Sequence, residues 1–384
     1  MVGDSQRTRV VCSVRLAKLL SLGICDCAMF SIRLNERPMP TGSRDPDVLL
    51  EWILDSMGLL PRKNEHGTLQ KLMIDAFLVD PLRGWDSESL GEATGMSNTA
   101  LHLQIRKLTQ AGLIANKTKG KRHFHVLRGG SMASSVSMSL ALATTTLGIR
   151  MSEVSQLVEE SETRMEAPAE EDEIMLSLKI SEAGPRDDDE DAISSLAFDL
   201  GLSGDSFESG ILARNVLTEL CKSHHPITLM ALSERVSETR GRVNTAVMRM
   251  RGAGLVEATP MIQRLSQDIF VGLNRQFSAR GADWIMGRGG LSRIDDDVSA
   301  PLIRGLENGS LGMAEVEKAL SSVPLDKQRV LLNLLGGRMP FGFRIAGRDG
   351  KALTERVSRL AERAMRRIGT VSVRLDEALS DSTD

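Results

Sequence analysis

The feature of this sequence that most constrains its fold is a repeated stretch of 25 residues. Residues 90–114 read LGEATGMSNTALHLQIRKLTQAGLI, and the pattern returns without a gap 142 positions later, in residues 232–256, as LSERVSETRGRVNTAVMRMRGAGLV. Apolar positions recur in register, for example Leu101 with Val243. Self-similarity at a fixed offset indicates that one supersecondary unit is used twice.

Each copy has the pattern of two helices joined by a tight turn. In the first copy, Leu90 and Ala93 lie on a short helix, a turn follows at residues 95–97, and a second helix has apolar positions spaced by four and three. The second helix ends at Ala-Gly-Leu, with Gly112 or Gly254 where a left-handed cap is favourable. This is the helix-turn-helix layout, whose second helix can lie in the major groove of DNA.

Length, charge and cysteine usage favour a cytoplasmic protein with more than one domain. At 384 residues we expect two or three domains. A formal net charge of −3 means that any basic surface must be local. The four cysteines lack the spacing of a disulfide framework or a zinc ribbon, which is typical of a reducing compartment. The absence of tyrosine argues against binding single strands by rows of stacked rings.

Two segments resemble membrane or targeting sequences. Residues 129–149 carry no charge, but Ser, Thr, Ala and Gly dominate them. We therefore interpret this segment as a packing helix at a homodimer interface, and we expect no membrane partner. Residues 1–38 combine basic residues with an apolar run, as a signal peptide does, and Asp26 interrupts that run. The alternative is that translation begins at Met39, and on neither interpretation is a domain expected there.

A basic hairpin follows the first copy. Two short predicted strands, residues 113–117 and 123–127, flank a tip that contains Lys119, Lys121 and Arg122. The sequence MSNTALHLQIRKLTQAGLI followed by KGKRHFHVL resembles the winged helix-turn-helix repressors of bacteria and archaea, notably the arsenic-repressor-like and multiple-antibiotic-resistance-like groups.

This resemblance covers about residues 67–128 and again about 208–275. It implies that the second helix of each copy reads base edges and that the wing grips phosphate. In the first copy the implied DNA-binding residues are Ser97, Asn98, Thr99, His102, Arg106, Lys107, Lys119, Lys121 and Arg122. In the second copy they are Arg240, Asn244 and Arg249, with a plainer wing at about residues 255–273. Leu103 and Met248 depart from the family's polar pattern.

The predicted fold class is mainly α with small β-hairpin wings: tandem winged helix-turn-helix domains plus a helical C-terminal region. The predicted boundaries are an extension at 1–38, the first domain with flanking helices at 39–150, an acidic linker at 151–204, the second domain at 205–290 and the helical region at 291–384. The acidic runs in the linker favour a solvated connection. The alternative is that they compete with DNA for the basic wing.

The sequence predicts a DNA-binding transcriptional regulator whose partners are double-stranded DNA, a second copy of the chain and the transcription machinery. It shows no P-loop, zinc-protease motif, nucleophile elbow or Rossmann fingerprint, so we expect neither an enzyme nor a cofactor. His123 and His125 share one side of a strand, but no third ligand is near in sequence and no metal is expected. The alternative is a scaffold or assembly protein whose winged helices bind protein, of the chromosome-condensing or polymerase-associated kind.

Overall fold

The computed structural model of the chain describes residues 29–60, 67–120, 122–165, 175–183, 192–203 and 206–381. The described residues are mainly helical and contain three two-stranded sheets, which confirms the coarse prediction of an α fold with small strand pairs. They form two compact units. Of the described residues, the first unit comprises those within 29–32, 40–142 and 368–381, and the second comprises those within 33–39 and 143–367.

The elements of the N-terminal part follow in the order strand, four helices, hairpin, long helix. They are β1 (Ser31–Asn35), α1 (Pro46–Ser56), α2 (Thr68–Leu72, continued by a π-helical turn Met73–Leu78), α3 (Ser87–Thr94), α4 (Asn98–Gln110), β2 (Ile114–Lys119), β3 (Arg122–Leu127) and α5 (Met132–Ser155). Polar caps fix where the helices begin. Asp45 caps α1 just before Pro46, and Asp86 forms a reciprocal capping box with Ser89 at the start of α3.

The core of the first unit lies where α2, α3 and α4 meet and where β2 packs on α4. Leu101, Leu108 and Ile114 are buried there, as their spacing in the repeat predicts. The small residues of α5 serve this packing. The hydroxyl of Ser135 donates to the carbonyl of Leu113 at 2.6 Å, and that of Ser139 donates to the carbonyl of Ala111 at 2.5 Å. Close approach of α5 to the end of α4 therefore explains part of its small-residue pattern.

The remaining elements belong chiefly to the second unit. They are β4 (Ser177–Ser181), α6 (Ala192–Asp199), α7 (Phe207–Lys222), α8 (Leu229–Arg235), α9 (Arg240–Gly252), β5 (Val256–Pro260), α10 (Leu265–Met286), α11 (Asp296–Glu307), α12 (Met313–Leu320), α13 (Leu325–Leu334), β6 (Phe341–Ile345) and α14 (Gly350–Asp381). Helix α9 packs against α7 and α8, and β5 pairs antiparallel with β6. Strand β1 pairs with β4 in a separate small sheet.

The offset of 142 positions relates more than the two aligned helices. Trp85 and Ile227 each form an isolated bridge to a hairpin strand, and each is followed directly by the helix cap, Asp86 or Thr228. The glycines that end α4 and α9, Gly112 and Gly254, have φ of +75° and +78°. After β2 and β5 the equivalent positions of the two units are 218 residues apart. At this offset His125, the bridge partner of Trp85, corresponds to Phe343, and the start of α5 corresponds to the start of α14. The second unit therefore carries 76 additional residues between the equivalents of β2 and β3.

The predicted second wing at about residues 255–273 is wrong. Strand β5 occupies Val256–Pro260, but its partner is β6 at Phe341–Ile345, and residues 261–340 between them, here called the insert, are mostly helical. The insert has its own apolar cluster, to which α10, α11, α12 and α13 all contribute. Leu265, Ile269 and Leu273 recur every four residues, a spacing that fits one face of a helix as well as of a strand, and here they lie on α10 and are buried in the cluster of the insert.

The stretch of 151–204 expected to be a linker is partly folded. Its apolar segment forms β4, and α6 follows it. Arg164 is completely buried and donates to four backbone carbonyls, those of Glu159, Cys221, Ser223 and Arg348. Two of these carbonyls lie at the end of α7, so Arg164 supplies the hydrogen bonds that a helix C-terminus lacks. The most acidic runs lie outside the described residues.

Helix α5 is the one described helix that is long and apolar enough to cross a membrane by length and composition. Its second half carries Arg150, which is buried and lies 2.7 Å from Glu153 and 3.6 Å from Asp199. A buried arginine held by two carboxylates belongs to the packing inside the second unit. The segment therefore has a structural role within the chain.

Three arginines of α14 form ion pairs with buried glutamates. Arg363 and Arg367 both contact Glu36 at 2.7 Å, and Arg356 contacts Glu257 at 2.8 Å. Glu36 and Glu257 are buried, so each needs a cationic partner. These three cations of the helix therefore belong to the packing of the second unit.

Candidate nucleic-acid interface

Helix α4 presents most of the side chains that the resemblance implies. Ser97 caps the helix by accepting a hydrogen bond from the backbone N–H of Ala100, and Ser97 itself is exposed. The exposed side chains that follow are those of Asn98, Thr99, His102, Leu103 and Arg106, and Lys107 is half-buried. Because Leu101, Ile105 and Leu108 are buried on the opposite face, the helix turns its polar side outward.

An open groove of about 790 Å³ lies between α4 and the β2–β3 hairpin. Polar side chains from both elements line it: Ser97, Thr99, His102, Arg106, Thr109, Asn116 and His125. Four of the predicted site residues therefore meet in one place, and Asn98 and Lys107 lie on the same helix outside the groove. Asn116 and His125 were not predicted as site residues. The alternation of side chains along the two strands could have indicated them, because directly paired residues such as these lie on one face of the hairpin.

His125 is held in a defined orientation. Its Nδ1 lies 2.8 Å from Oδ1 of Asn116, and its backbone forms two hydrogen bonds with Trp85. Because Oδ1 only accepts, Nδ1 is the donor, and Nε2 is the acceptor of the neutral ring. Burial lowers the pKa of His125 below its ordinary value, and the nearby His102 and His123 lower this pKa further. His125 is therefore neutral near pH 7.

The hairpin tip carries cations. Lys119 and Arg122 are directly paired across the strands, and both are exposed. Gly120 between them has φ of +65°, a conformation that favours glycine at a tight turn. Lys121 lies outside the described residues. Near the base of the hairpin, the guanidinium of Arg83 stacks 4.1 Å from the centre of the Trp85 ring.

Asp86 connects these cations to α3. Hydrogen bonds from the backbone N–H and the hydroxyl of Ser89 lower the pKa of Asp86, and the charges of Arg122 and Arg83 lower this pKa further. Asp86 therefore stays ionised as a helix cap. Its carboxylate is a negative charge close to the basic hairpin and interacts with Arg122 and Arg83.

In the second unit, α9 presents a different set of side chains. Arg240 is exposed, whereas Asn244 and Arg249 are half-buried. Arg242 contacts both carboxylate oxygens of Glu238 at 2.8 Å and lies 3.5 Å from Glu208. The insert occupies the place where a cationic hairpin tip would be, so the structure does not bring a second set of wing cations to this helix.

Apolar side chains interrupt both polar surfaces. Leu103 is 51% exposed and lines the groove of the first unit. On the second unit, Met248 is 38% exposed on α9, and Met230 is 63% exposed on α8. Single exposed apolar side chains are common on protein surfaces, and these three are notable because they lie on or beside the helices proposed to read DNA.

The three histidines do not form a metal centre. Among the described residues, no group of three or more His, Cys, Asp or Glu side chains is arranged to hold a metal ion. Cys221 is buried, and this burial raises the pKa of its thiol to about 12, so the thiol is unreactive near pH 7. This surface therefore offers polar side chains in the groove and cations at the hairpin tip.

Comparison with protein-family models, curated proteins and solved structures finds no match for the chain.

Proposed function

We propose that the chain is a DNA-binding transcriptional regulator with a winged helix-turn-helix segment in each unit. The observation that carries this proposal is the groove between α4 and the β2–β3 hairpin, where side chains from both elements offer donors and acceptors beside an exposed cationic tip. Base edges are read by such side chains, and the backbone is held by flexible cations. The bridge of Trp85 to the hairpin supports the winged arrangement, since it ties the segment before α3 to β3 by two backbone hydrogen bonds.

The local charges support a duplex partner. Arg106, Lys119 and Arg122 are exposed and form no salt bridge with the other described residues, in contrast to the ion-paired arginines of α14. Unpaired cations on one surface of a nearly neutral protein can neutralise phosphates and release counterions. Such binding is expected to weaken steeply as salt rises.

The test is a titration of labelled duplex DNA with the full chain, in which fluorescence anisotropy measures binding. Asn98→Ala and Arg106→Ala should each lower affinity by about 1–3 kcal/mol for the preferred sequence, because both side chains can make paired hydrogen bonds to bases. Arg329→Ala in the insert is the matched control, since Arg329 is exposed on α13. Equal affinities for the three variants and the unaltered chain would contradict the proposal.

The second unit is proposed to contribute less DNA affinity than the first. Arg242 is held by Glu238 and Glu208, and no cationic tip accompanies α9. Arg240→Ala is therefore expected to lower affinity less than Arg106→Ala in the same titration. A larger loss for Arg240→Ala would assign the main reading role to α9.

The exposure of Leu103, Met230 and Met248 favours a second candidate, a scaffold whose helices bind protein. An apolar side chain at the centre of a contact surface is typical of protein interfaces. Mapping chromosome occupancy of two variants in the native cell separates the candidates. Loss of occupancy with Arg106→Ala, but not with Leu103→Ser, supports direct DNA reading. The reverse supports the scaffold.

A further inference from the structure

Two imidazoles line the groove of the first unit, and a third lies beside it on β3. His102 lies on the exposed face of α4, and His125 lies opposite on β3, where it is half-buried. His123 is two residues before His125 and therefore on the same face of the strand. The chain contains six histidines, so half of them lie at one surface.

We propose that this groove binds a phosphodiester of the DNA backbone and that His125, which lines the groove, takes up a proton as the phosphate enters. Duplex binding then strengthens as the solution becomes more acidic. This proposal rests on the function proposed above. It adds the chemical group that the groove binds, a phosphodiester, and the dependence of DNA binding on pH.

The surroundings of His125 are cationic or neutral on every side. Helix α4 contributes His102 and Arg106, strand β3 contributes His123, and strand β2 contributes the amide of Asn116. The segment before α3 contributes Trp85, on which Arg83 stacks. The charges that act on His125 are those of the two other histidines. Asp86, the nearest acidic cap, is engaged by Ser89 and faces Arg83 and Arg122.

An anion in the groove supplies the negative charge that the surroundings of His125 lack. Without it, burial and mutual repulsion keep His125 neutral. A phosphate oxygen beside Nε2 favours the protonated ring, which can then donate to phosphate while Nδ1 still donates to Asn116. The pKa of His125 is thus low in the free protein and higher in the complex. Binding takes up protons between these two values, so affinity increases as pH falls through that range.

The groove has the chemistry of a phosphate site more than that of a metal site. A metal would need three ligands converging on one point, and the described residues provide no such group. A phosphate needs only donors at its edge, which the hydroxyl of Thr99 and the protonated imidazole of His125 provide. The apolar contact of Leu103 in the same groove suits the neighbouring sugar.

The experiment measures duplex affinity of the full chain at constant ionic strength from about pH 8 to about pH 6, the range in which histidine titrates. The unaltered chain should bind more tightly at each lower pH, by at most about tenfold per pH unit for each proton taken up. His125→Gln and His102→Gln should flatten this dependence. His225→Gln is the control and should leave it unchanged, because His225 lies in the second unit after α7.

Calorimetry gives an independent readout. Binding enthalpies measured in two buffers of different ionisation enthalpy should reveal proton uptake by the unaltered chain and less uptake by His125→Gln. Thermal melting of each variant checks that it folds. If affinity and proton uptake are the same in all three histidine variants, the proton-coupled site is wrong while DNA binding stands. If no duplex is bound at any pH, the proposed function itself is wrong.

Discussion

Gly95 and Ser237 hold the same left-handed turn in the two helix–turn–helix segments, with φ of +64° and +53°. They are 142 positions apart, the offset that relates the two segments. Glycine adopts this conformation without a steric cost, whereas serine does not. Ser237 is the one described non-glycine residue with positive φ, so the geometry of the turn is maintained in the second unit against the preference of its side chain.

Replacing Ser237 by glycine is therefore expected to stabilise the second unit. Removing the left-handed serine should recover about 1 kcal/mol, part of which is lost to the greater freedom of glycine in the unfolded chain. Gly95→Ala should destabilise the first unit by about 1 kcal/mol, although a Cβ there meets nothing within 4 Å. Urea unfolding of the full chain measures both changes.

Gly148→Ala is the matched control. Gly148 lies inside α5, without positive φ and with open space where a Cβ would be, so alanine should stabilise the helix by roughly 0.5–1 kcal/mol. A gain for Gly95→Ala of the same size would show that the turn imposes no strain.

The basic hairpin tip is expected to contribute affinity without sequence preference. Replacing Lys119, Lys121 and Arg122 by alanine should weaken binding to all duplexes alike and reduce the salt dependence by up to about three phosphate contacts. A matched triple replacement of exposed basic residues in the insert, Lys318, Arg329 and Arg338, changes the net charge equally and should leave the slope unaltered. Equal slopes for both triple variants would argue against the tip as a phosphate grip.

Asp376 is expected to stabilise the first unit from a distant point in the sequence. Its two carboxylate oxygens accept hydrogen bonds from the backbone N–H groups of Met132 and Ala133, at 3.0 and 2.8 Å, at the start of α5. These groups have no partner within the helix, and a negative charge there also complements the helix dipole. Asp376→Ala should cost about 1 kcal/mol, as the loss of a helix cap does.

Thermal melting monitored by circular dichroism measures this change, with Glu377→Ala as the neighbouring control. Glu377 is exposed and should tolerate alanine within about 0.5 kcal/mol. Equal melting temperatures for the two variants would mean that solvent caps α5 equally well.

A second copy of the chain remains a predicted partner through the exposed face of α5. Ser135 and Ser139 are used inside the first unit, whereas Ala141 is exposed and Ile149 is 55% exposed. Ala141→Trp should disrupt a dimer, because an indole keeps two helix backbones apart. Sedimentation at increasing concentration measures this, with Ala314→Trp on an exposed face of α12 as control. A monomeric unaltered chain at high concentration would exclude the dimer.

Sequence patterns predicted the elements whose contacts are local. The helix with Leu101 and Leu108, the cap Asp86 and the hairpin at Lys119–Arg122 follow from spacing, capping and turn chemistry within a few residues. The part of the groove that α4 contributes could be predicted, because helical periodicity identifies the outward face of that helix. Asn116 and His125 could be found only once the register of β2 and β3 was known.

Long-range pairing could not be predicted. Val256 pairs with Ile345 across the whole insert, and neither residue carries a sign of its partner. Arg164 lies among acidic residues in the sequence, which suggested solvent, yet it is buried because four backbone carbonyls converge on it. Such a site depends on where the end of α7 is placed by tertiary packing, which a single sequence does not specify.

The insert has a consequence for how the second unit folds. In the first hairpin Lys119 pairs with Arg122, so the two strands are close in sequence and can pair early in folding. The strands β5 and β6 are separated by residues 261–340, and closing a flexible loop costs about 0.6 kcal/mol more for each doubling of its length. If the insert first collapses on its own apolar cluster, its ends are already close and that entropic cost is avoided. We therefore expect the second unit to fold in sequence, with the helices of the insert forming first. The pairing of β5 with β6 and the bridge of Ile227 to Phe343 join residues far apart in the chain, and we expect them to form last and slowly.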